Sequence, residues 1–230
     1  MSESLSLDPY NVDITAAVTT QNVGSWTDPS GTAQPESYGV TFTVGDMVQL
    51  PVAVELTSGP NVIAPMDFAL CTACGVQGGF NMTLSTGSTQ PQAGDTYVLT
   101  VTDEKSGKTD TPSVAVSGVV PSSELATGLS ATGGTMPIFT WGYPVSNPTS
   151  YTYQFTLWDG NGNVIWQIPA TTGTGFSSTA VSSITWGTDP TGATNPPSVS
   201  ALTSGQSYVW AITTLDSNGN AAVQKAAYKP

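Results

Sequence analysis

The sequence predicts an all-β protein made of two tandem β-sandwich domains, and three observations carry that expectation. Helical periodicity is nearly absent, while short runs of alternating apolar and polar residues recur roughly every ten residues between clusters of Gly, Pro, Asn and Asp. The length of 230 residues is comfortable for two domains of about 100 residues each. Charge and tryptophan also divide the chain at one place: residues 1–121 hold 12 carboxylates and two lysines, whereas residues 122–230 hold four and two. Trp26 stands alone in the first part, and Trp141, Trp158, Trp166, Trp186 and Trp210 all fall in the second. The expected domains are therefore 1–121 and 122–230, the second opening on a linker over 121–135 that is rich in Ser, Thr and Gly.

In the first domain, strands are expected near 10–20, 38–44, 47–56, 66–70, 79–85, 96–103 and 113–120. Side chains two apart share a face of a strand, which puts Tyr97, Leu99 and Val101 together. The same parity sets Val48, Leu50, Val52, Val54 and Leu56 toward the core and Met47, Gln49, Pro51, Ala53 and Glu55 away from it. Lys105-Ser-Gly107-Lys108 reads as a hairpin turn. Such a succession of short strands and turns is the pattern of a sandwich. In the second domain the strands are 138–141, 151–157, 164–168, 182–186, 208–215 and 221–228, with Asp159-Gly-Asn-Gly-Asn163 and Asp216-Ser-Asn-Gly-Asn220 as turns.

The run Leu202-Thr-Ser-Gly205-Gln-Ser-Tyr208-Val-Trp210-Ala-Ile212 resembles the late-strand signature of fibronectin type III domains, in which a leucine and a Gly turn precede a Tyr that begins the next strand. Trp141, just after Pro137, stands where that family places its core Trp. The resemblance covers residues 128–230 and departs from the family between 170 and 200, where Thr-Gly-Thr-Gly-Phe and 189–197 make a longer connection. Ala93-Gly-Asp-Thr-Tyr97-Val-Leu-Thr-Val101 is similar to immunoglobulin-like repeats of bacterial cell-surface proteins. These resemblances imply an immunoglobulin-like sandwich followed by a fibronectin type III-like one, serving as a spacer, an adhesion module or an accessory domain of a secreted enzyme.

Composition excludes most chemistries. The chain has no His and no Arg, and its four lysines face 16 carboxylates for a net charge of −12. Without His there is no Ser–His–Asp or Cys–His activation and no imidazole ligand for a metal. Without Arg, and with that net charge, nucleic acid and anionic lipid are repelled rather than bound. A chain of 26 Ser and 35 Thr suits a secreted or cell-surface β protein. No run is long and apolar enough to insert in a membrane. The first residues, Met1-Ser-Glu-Ser-Leu-Ser, lack the features of a signal peptide, so an extracellular location implies that a leader has been removed.

Three sets of residues are candidates for a site. Cys71-Thr-Ala-Cys74 reads as a structural disulfide closing a tight loop in an oxidising compartment, or as an inert pair of thiols. Asp159, Asn161 and Asn163 have the 1-3-5 spacing that opens a calcium loop, but Ala170 stands where the closing Glu belongs, and a plain hairpin turn satisfies the same residues. Flat indole faces pack on pyranose rings, so Trp158, whose parity opposes Tyr153, Phe155 and Leu157, forms a possible carbohydrate platform with Trp166 or Trp186. Trp166 and Trp186 share parity with apolar neighbours, so ordinary core or edge packing competes for both. The acids fall mostly singly in turns, Asp103-Glu104 reads as a solvated turn pair beside Lys105, and no catalytic pair, metal or cofactor is expected. The function expected is a non-catalytic structural or adhesive module of a bacterial surface or secreted protein. Its partners would be proteins, a second copy paired through edge strands, or a polysaccharide bound by an accessory domain.

Overall fold

The computed structural model describes residues 15–45, 52–71, 79–103, 107, 109–144, 150–171, 173–178 and 181–230. The early strands are β1 (Thr15–Val23), β2 (Trp26–Thr27), β3 (Ala33–Gln34), β4 (Ser37–Gly45), β5 (Val52–Ser58), β6 (Met66–Asp67) and β7 (Ala69–Cys71). They are followed by β8 (Gly79–Gly87), β9 (Thr96–Asp103), β10 (Thr109–Asp110) and β11 (Ser113–Ala115). The remainder are β12 (Thr127–Thr132), β13 (Ile138–Gly142), β14 (Thr152–Trp158), β15 (Val164–Ile168), β16 (Phe176–Ser177), β17 (Ser183–Thr185), β18 (Tyr208–Leu215) and β19 (Ala221–Tyr228). The helix described in full is a single 3-10 turn at Ser122–Glu124, and no helix among the described residues is long and apolar enough to cross a membrane.

The chain forms two compact units, and neither is continuous in sequence. One comprises Met1–Thr19, Val40–Thr86 and Pro91–Ser117; the other comprises Thr20–Gly39, Gly87–Gln90 and Gly118–Pro230. The last long stretch of the second unit begins close to the boundary expected at 121/122. Residues 20–39, which the composition assigns to the first domain, belong to the second unit.

In the first unit, residues 15–19 of β1 and 40–45 of β4 make one sheet with β8 and β7 in the order β1-β4-β8-β7, and β10-β9-β5-β6, with β11 also on β9, make the other. This first-second-fifth-fourth arrangement against the central pair is the strand order of an immunoglobulin-type sandwich. The expected parity holds: Tyr97, Leu99 and Val101 are fully buried with Val54 and Leu56. Phe42 of β4 meets Tyr97 of β9 edge-on at 4.9 Å and Phe68 at 6.1 Å, which locks the sheets face to face. Tyr97 needs room beside β5. A Cβ on Gly59, whose φ is +147°, would lie 2.3 Å from that ring. Residues 46–51 and the expected Lys105–Lys108 turn lie largely outside the described residues, and of the strand expected over 113–120, Ser113–Ala115 forms β11 and Val116 exchanges backbone bonds with Gly94 and Asp95.

In the second unit, β12-β13-β17 form one sheet and β15-β14-β18-β19 the core of the other. Three strands facing four in this chain order is a fibronectin type III-like sandwich. The residues between the sheets are aromatic: Phe139, Trp141, Tyr153, Phe155, Trp166 and Trp210 are all buried in one cluster. Rings from both sheets touch, with Phe139 4.9 Å from Phe155 and 5.1 Å from Trp210. Trp141 and Trp210 thus occupy the core, Trp141 in the place the fibronectin type III resemblance gives it. The stretch expected as a linker is not one. It holds the 3-10 turn and β12, which pairs antiparallel with β13 through Ser130↔Thr140 to Thr132↔Ile138. The period-two pattern of β12 is hidden because its side chains are small and only its inward ones are partly buried.

Both flanks of the larger sheet are bonded over part of their length. Residues 21–23 of β1 pair in parallel with Ala221, Ala222 and Val223 of β19. On the β15 side, Ser198 N donates to Ile165 O at 2.9 Å and Asn195 Nδ2 to Gln167 O at 2.6 Å. The long connection over 170–200 therefore packs back as an edge cover.

Candidate functional site

The outer face of the larger sheet in the second unit carries the most distinctive surface. Antiparallel partners share a face, and Trp158 pairs with Val209 of β18 and with Val164 of β15. Trp158 therefore lies away from the aromatic core and packs on a small second cluster of Ala211, Leu215, Ala221 and Val223. Trp166 pairs with Leu157, so it points inward. It is 2% exposed, donates from Nε1 to Asn195 O at 2.8 Å, and meets Trp186 at 5.6 Å. Trp186, half-buried, donates to Ser200 O. The platform of Trp158 with Trp166 or Trp186 is consequently not a single surface, because the sheet itself separates Trp158 from the other two.

The partner that the structure brings to Trp158 is Trp26. The two indoles line one cleft of about 470 Å³ with Asp159, Ser207, Val209 and Lys225. Trp26 arrives there through local chemistry. Gly24 N donates to Val223 O at 3.0 Å, extending the parallel ladder, and Gln224 Nε2 donates to Ser25 O at 3.0 Å. Trp26 then opens the β2–β3 hairpin, Trp26↔Gln34 and Thr27↔Ala33. Asp28 staples its turn: Oδ1 accepts from Ser30 N, Ser30 Oγ and Thr32 N, and Oδ2 accepts from Gln34 Nε2. The Lys225 ammonium sits 5.6 Å from the centre of the Trp26 ring, within reach of a cation–π contact. Burial lowers the pKa of Lys225 from its usual 10.5, since a desolvated cation is disfavoured.

Asp159 is the acid in the cleft wall, and its oxygens are occupied. Oδ1 accepts from Asn161 N at 2.9 Å and Asn163 N at 2.8 Å, and Oδ2 from Asn163 Nδ2 at 2.9 Å. This is a self-contained turn, and among the described residues no group of three acids, cysteines or histidines gathers for a metal. The Asn163 side chain and then its backbone N–H hold the Asp159 carboxyl below 3.8, and the Ser30 hydroxyl first, then the Thr32 N–H, does the same for Asp28. A depressed folded-state pKa stabilises above the unfolded value and is lost as pH falls through the folded one. Carboxyl carbon shifts should therefore show both groups titrating below 3.8, and what these two turns contribute to stability should be lost only as pH drops under about 4. A midpoint at or above the free value for either group would contradict these turn bonds.

A second groove of about 420 Å³ runs over the same sheet face and shares Trp158 and Lys225 with the cleft; Gln21, Gln154, Thr156 and Gln167 line it. Of the cysteine pair, Cys71 ends β7 and Cys74 lies outside the described residues. Sequence reasoning missed Trp26 and Lys225, for which the only local signal is an aromatic placed before the Asp28-Pro-Ser-Gly31 turn.

Strand order and cleft together define a β-sandwich protein with an exposed aromatic recess on a sheet face. No protein-family model and no curated protein sequence matches the chain. Among solved structures it is similar to a two-domain fibronectin type III segment of chicken tenascin, at 12% identity over 95% of this chain and 98% of that one, with a TM-score of 0.29. It is also similar to the FN1–FN3 domains of chicken CNTN1, at 10% identity over 92% of this chain and 64% of that one, with a TM-score of 0.28.

Proposed function

We propose that the chain is a non-catalytic adhesive and structural module of a bacterial surface or secreted assembly, and that it holds its partner in the Trp26–Trp158 cleft. The composition of that cleft carries the reading. Two half-buried indoles offer apolar area to a ligand, the one cation beside them is covered by a ring, and Asp159 is tied up in its own turn. Such groups recognise a ligand without transferring protons to it. The aromatic core leaves the sheet surface as the place for contacts, and the partly paired flanks of the larger sheet leave less open edge for a second copy.

Retention on immobilised polysaccharides and extracellular matrix proteins tests the reading. The intact chain should be retained on at least one such surface, and a variant carrying both Trp26→Ala and Trp158→Ala should lose about tenfold or more in affinity. Equal retention of that variant, with its fold verified by circular dichroism, would remove the cleft from the function.

A further inference from the structure

We infer that the Trp26–Trp158 cleft binds a carboxylated sugar unit of a saccharide, with the indoles against its ring faces and Lys225 opposite its carboxylate. The inference rests on the binding-module reading above and adds the chemical class of the ligand. Three features of the second unit support it.

First, the aromatic pair is continuous with a row of neutral side chains. Gln154 and Thr156 of β14 and Gln167 of β15 stand on the same sheet face as Trp158, because Thr156 is the register partner of Gln167. They line the groove that meets the cleft at Trp158 and Lys225. Gln154 and Thr156 are buried and Gln154 Nε2 donates to Thr171 O and Thr174 O, so the half-exposed Gln167 is the member of this row that reaches the surface beside the indoles. Second, an extended peptide seeks an open strand edge, whereas β19 is paired at residues 221–223 and the β15 edge is bonded at Ile165 and Gln167. Third, the ammonium of Lys225 is the cleft's cation, and burial disfavours its charge. A ligand carboxylate would relieve that cost. The nearest acid in the wall, Asp159, turns its oxygens toward Asn161 and Asn163. The acidity of the whole chain does not oppose this contact strongly, since exposed charges beyond about 8 Å are screened at physiological ionic strength.

The six tryptophan indole N–H groups give the test its own controls. The ¹⁵N-labelled full chain would be titrated with trigalacturonate, trimannuronate and sialyllactose, and with maltotriose and lactose as neutral counterparts. Shifts of the Trp26 and Trp158 indole signals with a carboxylated sugar, and stationary signals from Trp141, Trp166 and Trp210, are the expected result. Lys225→Met should weaken that binding about tenfold, raised salt should weaken it for the intact chain, and Trp26→Ala should abolish it. Trp26 is on a surface hairpin, so its loss leaves the sheet intact where Trp158→Ala could disturb packing. Neutral sugars that bind as tightly as acidic ones, or a Lys225→Met variant that binds unchanged, would overturn the inference and leave the cleft as a binding site. If no sugar shifts either indole while retention on protein surfaces still depends on both tryptophans, the ligand is not a saccharide. Retention that ignores both tryptophans would instead defeat the module reading itself.

Discussion

Replacing Phe155 with alanine is expected to cost the second unit about 3–5 kcal/mol of stability, the range for deleting a fully buried phenyl ring. Phe155 is at the centre of the aromatic core, with no exposed surface. Its ring centre lies 4.9 Å from Phe139, 5.6 Å from Trp166 and 6.0 Å from Trp210. Those neighbours come from β13, β15 and β18, three elements that cannot all shift into the space without abandoning their registers. The cost therefore combines lost transfer energy with a cavity that persists, against a total stability of about 5–15 kcal/mol for a typical domain. Trp210→Phe makes the control. Trp210 is equally buried, but its Nε1 has no hydrogen-bond partner among the described residues. Exchanging it for a smaller ring removes a desolvated N–H along with the apolar area, and the two effects oppose one another, holding the loss to about 2 kcal/mol or less. Urea unfolding followed by circular dichroism measures both. A Phe155→Ala loss under about 1 kcal/mol would mean that the sheets do not close-pack around this ring.

The contrast between strands and cleft shows what a sequence can express. β14 was legible because its sequence alternates apolar and polar over seven residues, β18 and β19 because apolar runs flank the Asp216–Asn220 turn, and parity alone separates Trp158 from Phe155 and Leu157. β9 was legible for the same reason as β14. β12 was not, since Thr, Gly, Ser and Ala carry little contrast between faces and the strand is identified only by its ladder to β13. The cleft was half legible: Trp158 is placed outward by its own strand, but its partner Trp26 lies 132 residues earlier in the chain. What joins them is the parallel addition of residues 21–23 to β19, a long-range pairing with no local pattern. The same insertion explains why charge and tryptophan counts place a boundary near 121 yet misassign residues 20–39.

Asn220→Ala is expected to cost about 2–3 kcal/mol, well beyond the same change at Asn163. The two asparagines close turns of the same pattern. Asp216 Oδ1 accepts from Asn218 N and Asn220 N and its Oδ2 from Asn220 Nδ2, as Asp159 does with Asn161 and Asn163. Asn163 is exposed, and its loss removes an exposed hydrogen bond worth well under about 1 kcal/mol. Asn220 is completely buried, and its Oδ1 accepts from Thr20 N at 2.9 Å and from Thr20 Oγ1 at 3.2 Å. Alanine there leaves the N–H of a residue only 3% exposed without its acceptor, directly upstream of the three residues that seat β1 on β19. The difference between the two variants in urea unfolding measures what that seat contributes beyond the turn; equal losses would show that β1 is held by its ladder alone. Asn220→Asp separates the two halves of the side chain. It keeps an oxygen for Thr20 but replaces the donor 2.8 Å from Asp216 Oδ2 with a second carboxylate, so one of the pair must have a raised pKa. A raised folded-state pKa in an acid favours the protonated fold. This variant should therefore be the least stable of the three at pH 7 and recover as pH falls toward 5, where a shared proton restores the donor. Stability that is flat across that interval would place the new carboxylate away from Asp216, and with it the anchoring geometry that presents Trp26 to the cleft.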